Sequence, residues 1–202
     1  VFFGTPPFAV PSLERLVAGG EQVAAVVTQP DRRRGRGQRL QPSAVKSAAL
    51  AHGIPVLQPA RASDPAFLAQ LSALQPDLGV VAAYGKMLPN SVLQTPRLGT
   101  INVHASLLPK YRGAAPVHRA IMAGERETGI TMIRLVRQMD AGPMLARAVY
   151  PIGEDDTSEM AERALGVLGA DLLLSTVAAL ASGQAVEEEQ NHARATLAPR
   201  LT

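Results

Sequence analysis

Val1-Phe2-Phe3 stops at Gly4-Thr5-Pro6-Pro7, a helical spacing of Val10, Leu13, Leu16 and Val17 runs to Gly19-Gly20, and Val23-Ala24-Ala25-Val26-Val27 resumes an apolar run. Consecutive apolar residues suit a strand covered on both faces, as in a parallel sheet. Apolar residues three and four apart lay one face of a helix on such a sheet. The alternation continues with a helix from Ser43 to His52, a short strand Val56-Leu57 and a helix to Leu74 opened by Asp64 as its cap. Two further strands follow, Gly79 to Ala83 and Thr100-Ile101-Asn102-Val103. The expected fold is α/β: Rossmann-like, doubly wound, with a mainly parallel sheet.

After residue 113 the pattern changes. A helix around Pro116 to Ala123 leads to Thr131-Met132-Ile133-Arg134-Leu135-Val136 and then to Met144 to Tyr150. These two runs flank Asp140-Ala141-Gly142 and are expected to pair at a sheet edge. A long helix with an acidic start, Asp155 to about Leu180, closes the domain, and the polar tail lacks a period. The expected organisation is one domain over 1–187 and a linker over 188–202. Because the chain starts inside a strand without Met, it is expected to be a fragment. Ligands of doubly wound sheets bind beyond the carboxyl ends of the strands, which directs attention to Gly4–Pro7, Tyr84–Pro89, Asn102–Arg112 and Asp140–Gly142.

Composition narrows the chemistry. The 202 residues contain no Cys, which excludes disulfides, a thiol nucleophile and Cys-based zinc sites and suits a reducing cytoplasm. Apolar residues make up 47% and charged residues 18%, as in ordinary globular proteins, and no run of apolar residues reaches membrane-spanning length. The net charge of +3 is small but unevenly distributed: Arg32, Arg33, Arg34, Arg36 and Arg39 share one short loop. A basic patch confined to one loop points to an anionic partner met at one place. As phosphate contacts, these five would make nucleic-acid binding salt-sensitive, while Gly35 and Gly37 would keep the loop mobile. The same run also fits a merely solvated face.

Asn102 and His104 fall on one face at the end of a strand. An Asn amide donates to a carbonyl oxygen, and a His exchanges a proton near neutrality. Asp140 would orient or charge-stabilise the imidazole, completing an oxyanion donor, an acid–base group and a supporting carboxylate for acyl transfer. The bland alternative is that Asn102 caps a turn and His104 satisfies buried backbone. Other chemistries fit poorly. Gly35-Arg36-Gly37 lacks the preceding strand and third Gly of a dinucleotide fingerprint, and Ser106 lacks a nucleophile elbow. His52, His104, His118 and His192 have no metal-ligand spacing.

Asn102-Val103-His104 followed by Ser106-Leu107-Leu108-Pro109, with Asp140-Ala141-Gly142-Pro143-Met144 downstream, resembles the signature of the folate-dependent formyltransferases. Phe3-Gly4-Thr5-Pro6 with Phe8-Ala9, Gln29-Pro30-Asp31-Arg32 with Gly35-Arg36-Gly37, and Arg112-Gly113-Ala114-Ala115-Pro116 are similar to the branch of that family acting on methionyl-tRNA. The resemblance implies a formyltransferase fold, with Asn102, His104 and Asp140 as the catalytic trio. It implies folate contacts at Tyr84, Met87, Leu88, Ser106, Leu107, Leu108 and Pro109. It also implies tRNA contacts at the five Arg, Arg36 foremost. The implied reaction moves a formyl group from 10-formyltetrahydrofolate, a consumed co-substrate, to the amino group of initiator methionyl-tRNA. No metal and no membrane are implied, and a monomer is expected. Ala105 departs from the Gly usual in that branch, and Leu197 from an aromatic. Action on an amino sugar nucleotide, or a non-catalytic folate- or RNA-binding module, remain the alternative readings.

Overall fold

The computed structural model describes residues 1–34 and 39–201. The chain divides into two compact units, Val1–Thr100 and Ile101–Thr202. The first unit holds β1 (Phe2–Gly4), α1 (Val10–Ala18), β2 (Val26–Val27), β3 (Arg32–Arg34), β4 (Arg39–Gln41), α2 (Ala44–Ala51), β5 (Val56–Leu57), α3 (Pro65–Ala73), β6 (Gly79–Ala82) and α4 (Asn90–Leu93). Strands β5, β2, β1 and β6 lie side by side in that order, all parallel. The chain thus moves outward from β1 to β2 and β5, then returns to the other side of β1 with β6. That reversal places the β1 and β6 end loops, Gly4–Pro7 and Ala83–Pro89, where ligands meet doubly wound sheets. Phe2, Phe3, Val26, Val27, Leu13, Val45 and Leu71 are fully buried, as continuous apolar strands under helices require.

Local chemistry sets the helix starts. Ser43 accepts from the Lys46 amide and Asp64 from the Ala66 amide, each cap contributing about 1 kcal/mol. The Arg-rich segment expected as a loop is instead a hairpin over its described part, with Arg32–Arg34 antiparallel to Arg39–Gln41. A run of like side chains has no apolar–polar alternation, so a strand there leaves no periodic signal. Arg32 and Arg33 are exposed, while Arg36, with Gly35 and Gly37, lies outside the described residues.

The second unit continues β7 (Thr100–His104) and adds α5 (Pro116–Met122), β8 (Glu127–Arg134), β9 (Met144–Pro151) and α6 (Ser158–Ala181). Strands β7, β8 and β9 are antiparallel neighbours, so the two runs around Asp140 do pair. The register shifts between Met132 and Ile133, leaving an extra residue on β9 beside the Asp140 loop. The closing helix starts at Ser158, later than expected. Thr157 accepts from the Met160 amide, whereas Asp156 is used by the Gly153 amide and the Tyr150 hydroxyl. Helix α6 is long and apolar enough to cross a membrane by composition alone. It lies on β8 and β9, with Leu165 and Leu173 fully buried, so its apolarity is that of a core helix. The segment after Gln184 is held to this unit: Glu188 and Met144 exchange both backbone hydrogen bonds, and Ala198 is fully buried.

The overall class is the α/β, Rossmann-like, mainly parallel fold with flanking helices. Close approach imposes the glycine at 129 in β8, where a Cβ would collide with the Ala148 carbonyl and the Leu107 side chain. Gly129→Ala is expected to destabilise the fold by roughly 1–3 kcal/mol through overpacking. Urea unfolding measures this, and an unchanged midpoint would refute it.

Candidate active site

Asn102 and His104 stand two residues apart on β7, so both side chains project from the same face, and both are buried. His104 Nε2 lies 3.0 Å from the carbonyl oxygen of Tyr111. A carbonyl only accepts, so this contact places the ring hydrogen on Nε2 and leaves Nδ1 with its lone pair in the neutral ring. Nδ1 is 3.7 Å from Asp140 Oδ2. When Nδ1 takes a proton, the new N–H faces a carboxylate. The carboxylate is itself held, because Oδ2 accepts from the Gly113 amide at 2.8 Å. Asp140 has φ of +48°, a left-handed conformation that Asp and Asn tolerate better than most residues. The three residues singled out in the sequence therefore belong to one unit, and His104 has a direct partner in each flanking loop. Among the described residues, the Asn102 side-chain amide has no protein partner, which leaves its N–H groups open to a ligand.

The loop after β7 is tied down by Thr131, a residue that no sequence motif marks. From β8 it donates its hydroxyl to the Ser106 carbonyl at 2.7 Å and accepts from the Leu108 amide at 3.1 Å. Ser106 is fully buried and donates to the Lys110 carbonyl. The Leu108 side chain packs with Ile133, Met144 and Leu135. Leu107 and Pro109 are half-buried. In the first unit, the Tyr84 ring is buried edge-on against Phe3, and its carbonyl accepts from the Thr5 hydroxyl and from Gln29 Nε2. Met87 is exposed and Leu88 half-buried. A cavity of about 370 Å³ between Ser72, Gln75, Asp77, Thr95 and Arg97 includes none of these residues. Among the described residues, no group of three or more His, Asp or Glu is arranged to hold a metal ion.

Tyr111 and Gly113 likewise carry no sequence signal for their part in the site, because each contributes through its backbone. Tyr111 has φ of +62°, which turns its carbonyl toward His104, while its hydroxyl donates to Glu125 at 2.8 Å. Burial and the Glu125 carboxylate push the Tyr111 phenol up to about 12. Glu125 in turn is held below the usual carboxylate range by hydrogen bonds from Lys110 and Tyr111.

Over residues 1–177 the chain matches the family model described as formyl transferase, and it belongs to that family. It is 49% identical over 201 residues to a methionyl-tRNA formyltransferase of Methylococcus capsulatus, and 52% identical over 202 residues to one of Koribacter versatilis. All of this chain is covered in both matches, but it spans only 65% of the length of each relative. Solved structures share the fold. A phosphoribosylglycinamide formyltransferase from Bacillus halodurans superposes with a TM-score of 0.75 at 24% identity, over 90% of this chain and 94% of that one. An N-formyltransferase from Helicobacter canadensis, solved with folinic acid and dTDP-3-aminofucose, does so at 0.75 and 19% identity, over 98% and 70%.

The Tyr111 phenol is neutral in the fold well above its ordinary value near 10. Its contribution to stability is present below about pH 10 and is lost as pH rises toward 12. Absorbance titration at 295 nm should contain a phenol ionising near 12 that is missing in Tyr111→Phe. Identical titrations of the two proteins would remove the Glu125 hydrogen bond from the account.

Proposed function

We propose that this chain is the catalytic part of a methionyl-tRNA formyltransferase, moving a formyl group from 10-formyltetrahydrofolate to the amino group of initiator methionyl-tRNA. The observation that carries the reading is the placement of His104 between the Tyr111 carbonyl and Asp140, two residues along β7 from the buried Asn102 amide. Identity near 50% over the whole chain to relatives bearing that name supports the choice of acceptor.

The methionyl amine attacks the formyl carbon on folate N10, forming a C–N bond and a tetrahedral oxyanion. An Asn102 N–H donates to that oxyanion, a form of stabilisation typically worth about 2.7–4 kcal/mol per donor, and the positive charge of the protonated His104 ring stabilises it electrostatically. Asp140 stabilises the imidazolium. The amine's proton passes to N10 as the C–N10 bond breaks, so no covalent enzyme intermediate forms. Holding two large substrates in register supplies much of the remaining rate. Folate contacts are assigned to Ser106, Leu107, Leu108, Pro109, Tyr84, Met87 and Leu88. Residues 1–187 act as the catalytic domain, with 188–202 a linker that is held against it by backbone hydrogen bonds to Met144 and Arg112. The protein works as a monomer in the cytoplasm, without a metal.

The deciding experiment is single-turnover formylation with charged initiator tRNA, an aminated sugar nucleotide and glycinamide ribonucleotide as rival acceptors. Transfer to tRNA is expected to exceed the others by orders of magnitude, and preference for either small acceptor would overturn the assignment. In the same assay, His104→Ala and Asn102→Ala should each lose roughly a hundredfold or more, with circular dichroism unchanged. Near-normal rates in either would remove the mechanism.

The Arg hairpin is assigned to the RNA. Replacing Arg32, Arg33, Arg34, Arg36 and Arg39 with Ala should weaken tRNA binding and make it less sensitive to salt. The slope of log K against log salt should fall by roughly 0.7–0.9 for each phosphate that the variant no longer neutralises. Binding of a folate analogue should hold within about twofold. Equal weakening for both ligands would place the hairpin in the folate pocket or the fold.

A further inference from the structure

Both residues that flank the His104 ring, Tyr111 and Asp140, are gripped by residues 188–198. Gln190 is buried at 4% exposure, and its Nε2 donates to the backbone carbonyls of both Asp140, at 2.8 Å, and Gly142, at 2.7 Å. Those two hydrogen bonds hold the left-handed turn that carries the Asp140 carboxylate toward Nδ1. The other end of the amide is equally committed. Gln190 Oε1 accepts from Arg112 Nη2 at 2.6 Å and from Nε at 3.2 Å, and Nη2 also donates to His192 Nδ1 at 2.9 Å. Arg112 is 5% exposed, and its guanidinium is held by Gln190 and His192.

On the opposite side of the imidazole the same segment acts on backbone. Thr196 Oγ1 accepts from the Tyr111 amide, the Thr196 carbonyl accepts from the Arg112 amide, and the Ala198 amide donates to the Arg112 carbonyl. These bonds support the left-handed Tyr111, whose carbonyl takes the Nε2 hydrogen. One short segment thus braces the partner of each ring nitrogen, with the Arg112–Gln190 pair joining the two loops.

We infer that Gln190 is a positioning residue of the active site, acting through the Asp140 loop and locked by Arg112, and that residues 188–198 form the brace of His104. A side-chain amide is suited to this task because it accepts at one end and donates at the other. A carboxylate of the same shape would keep Arg112, with a stronger partner, yet turn an acceptor against two carbonyls. The assignment rests on the formyl-transfer reading above.

Gln190→Glu is therefore the informative variant, since it retains the Arg112 contact that supports the fold. Two measurements on the whole chain test it. Amide hydrogen exchange at Gly113, whose N–H binds the Asp140 carboxylate, should quicken about tenfold or more, while amides of α6 keep their wild-type rates. Single-turnover formylation should fall about tenfold to a hundredfold, as small misplacements of a reacting group do, with KM for the folate within about twofold. In an Asp140→Ala background, the same change should cost less than about threefold, because the group being positioned is gone. Unchanged exchange at Gly113 would overturn the proposal. So would a rate within about twofold of wild type, or an equal decrease in both backgrounds. If the wild-type chain formylates none of the acceptors, the reaction reading fails, and the exchange result still decides whether Gln190 holds the carboxylate.

Discussion

The hydrogen bond between His104 Nε2 and the Tyr111 carbonyl decides which nitrogen of the imidazole is free to do chemistry. Because the carbonyl accepts and never donates, Nε2 keeps its hydrogen and proton traffic is confined to Nδ1. That nitrogen faces Asp140 at 3.7 Å, a distance that leaves room for the contact to tighten once the ring is charged. The strand, the two loops and the tail can be understood as the apparatus that brings a backbone carbonyl and a carboxylate to opposite edges of one ring.

That apparatus depends on unusual backbone. Tyr111 and Asp140 both have positive φ, and both are held by hydrogen bonds from elsewhere in the unit, through Gly113, Thr196 and Gln190. Strained residues persist only where their surroundings over-determine them. The rigid part of the surroundings is β7 and β8, whose cross-strand ladder and fully buried Ile101, Ile130, Met132 and Ile133 leave β7 little freedom to shift. Thr131 extends that rigidity into the Ser106–Leu108 loop by using both the donor and the acceptor capacity of one hydroxyl.

Much of this is legible residue by residue. The apolar run at Val26-Val27 and the cap at Asp64 announce their elements because the signal is local: burial on both faces, or an oxygen one turn from an orphan amide. Asn102 and His104 are paired by strand periodicity alone. The hairpin at Arg32–Gln41 is not legible, because strand patterns are read from apolar contrast and its arms have little. The start of α6 is misleading in the sequence because Asp155 and Asp156 imitate an acidic first turn, while the capping oxygen belongs to Thr157.

The amino-acid sequence by itself determined the class of fold and the family, and singled out the three polar side chains of the candidate site. Each is written in contiguous or periodic residue types that bury, cap or titrate in a characteristic way. Only the tertiary structure decided how His104 is oriented and what keeps Asp140 in place. Those roles fall to the carbonyl of Tyr111, the amide of Gly113 and the side chain of Gln190, which reaches Asp140 across 50 positions and Arg112 across 78. Every residue has a carbonyl, nearly every one an amide, and Gln occurs throughout protein surfaces. Their meaning here comes from where the folded chain puts them, and the sequence alone carries no mark of that.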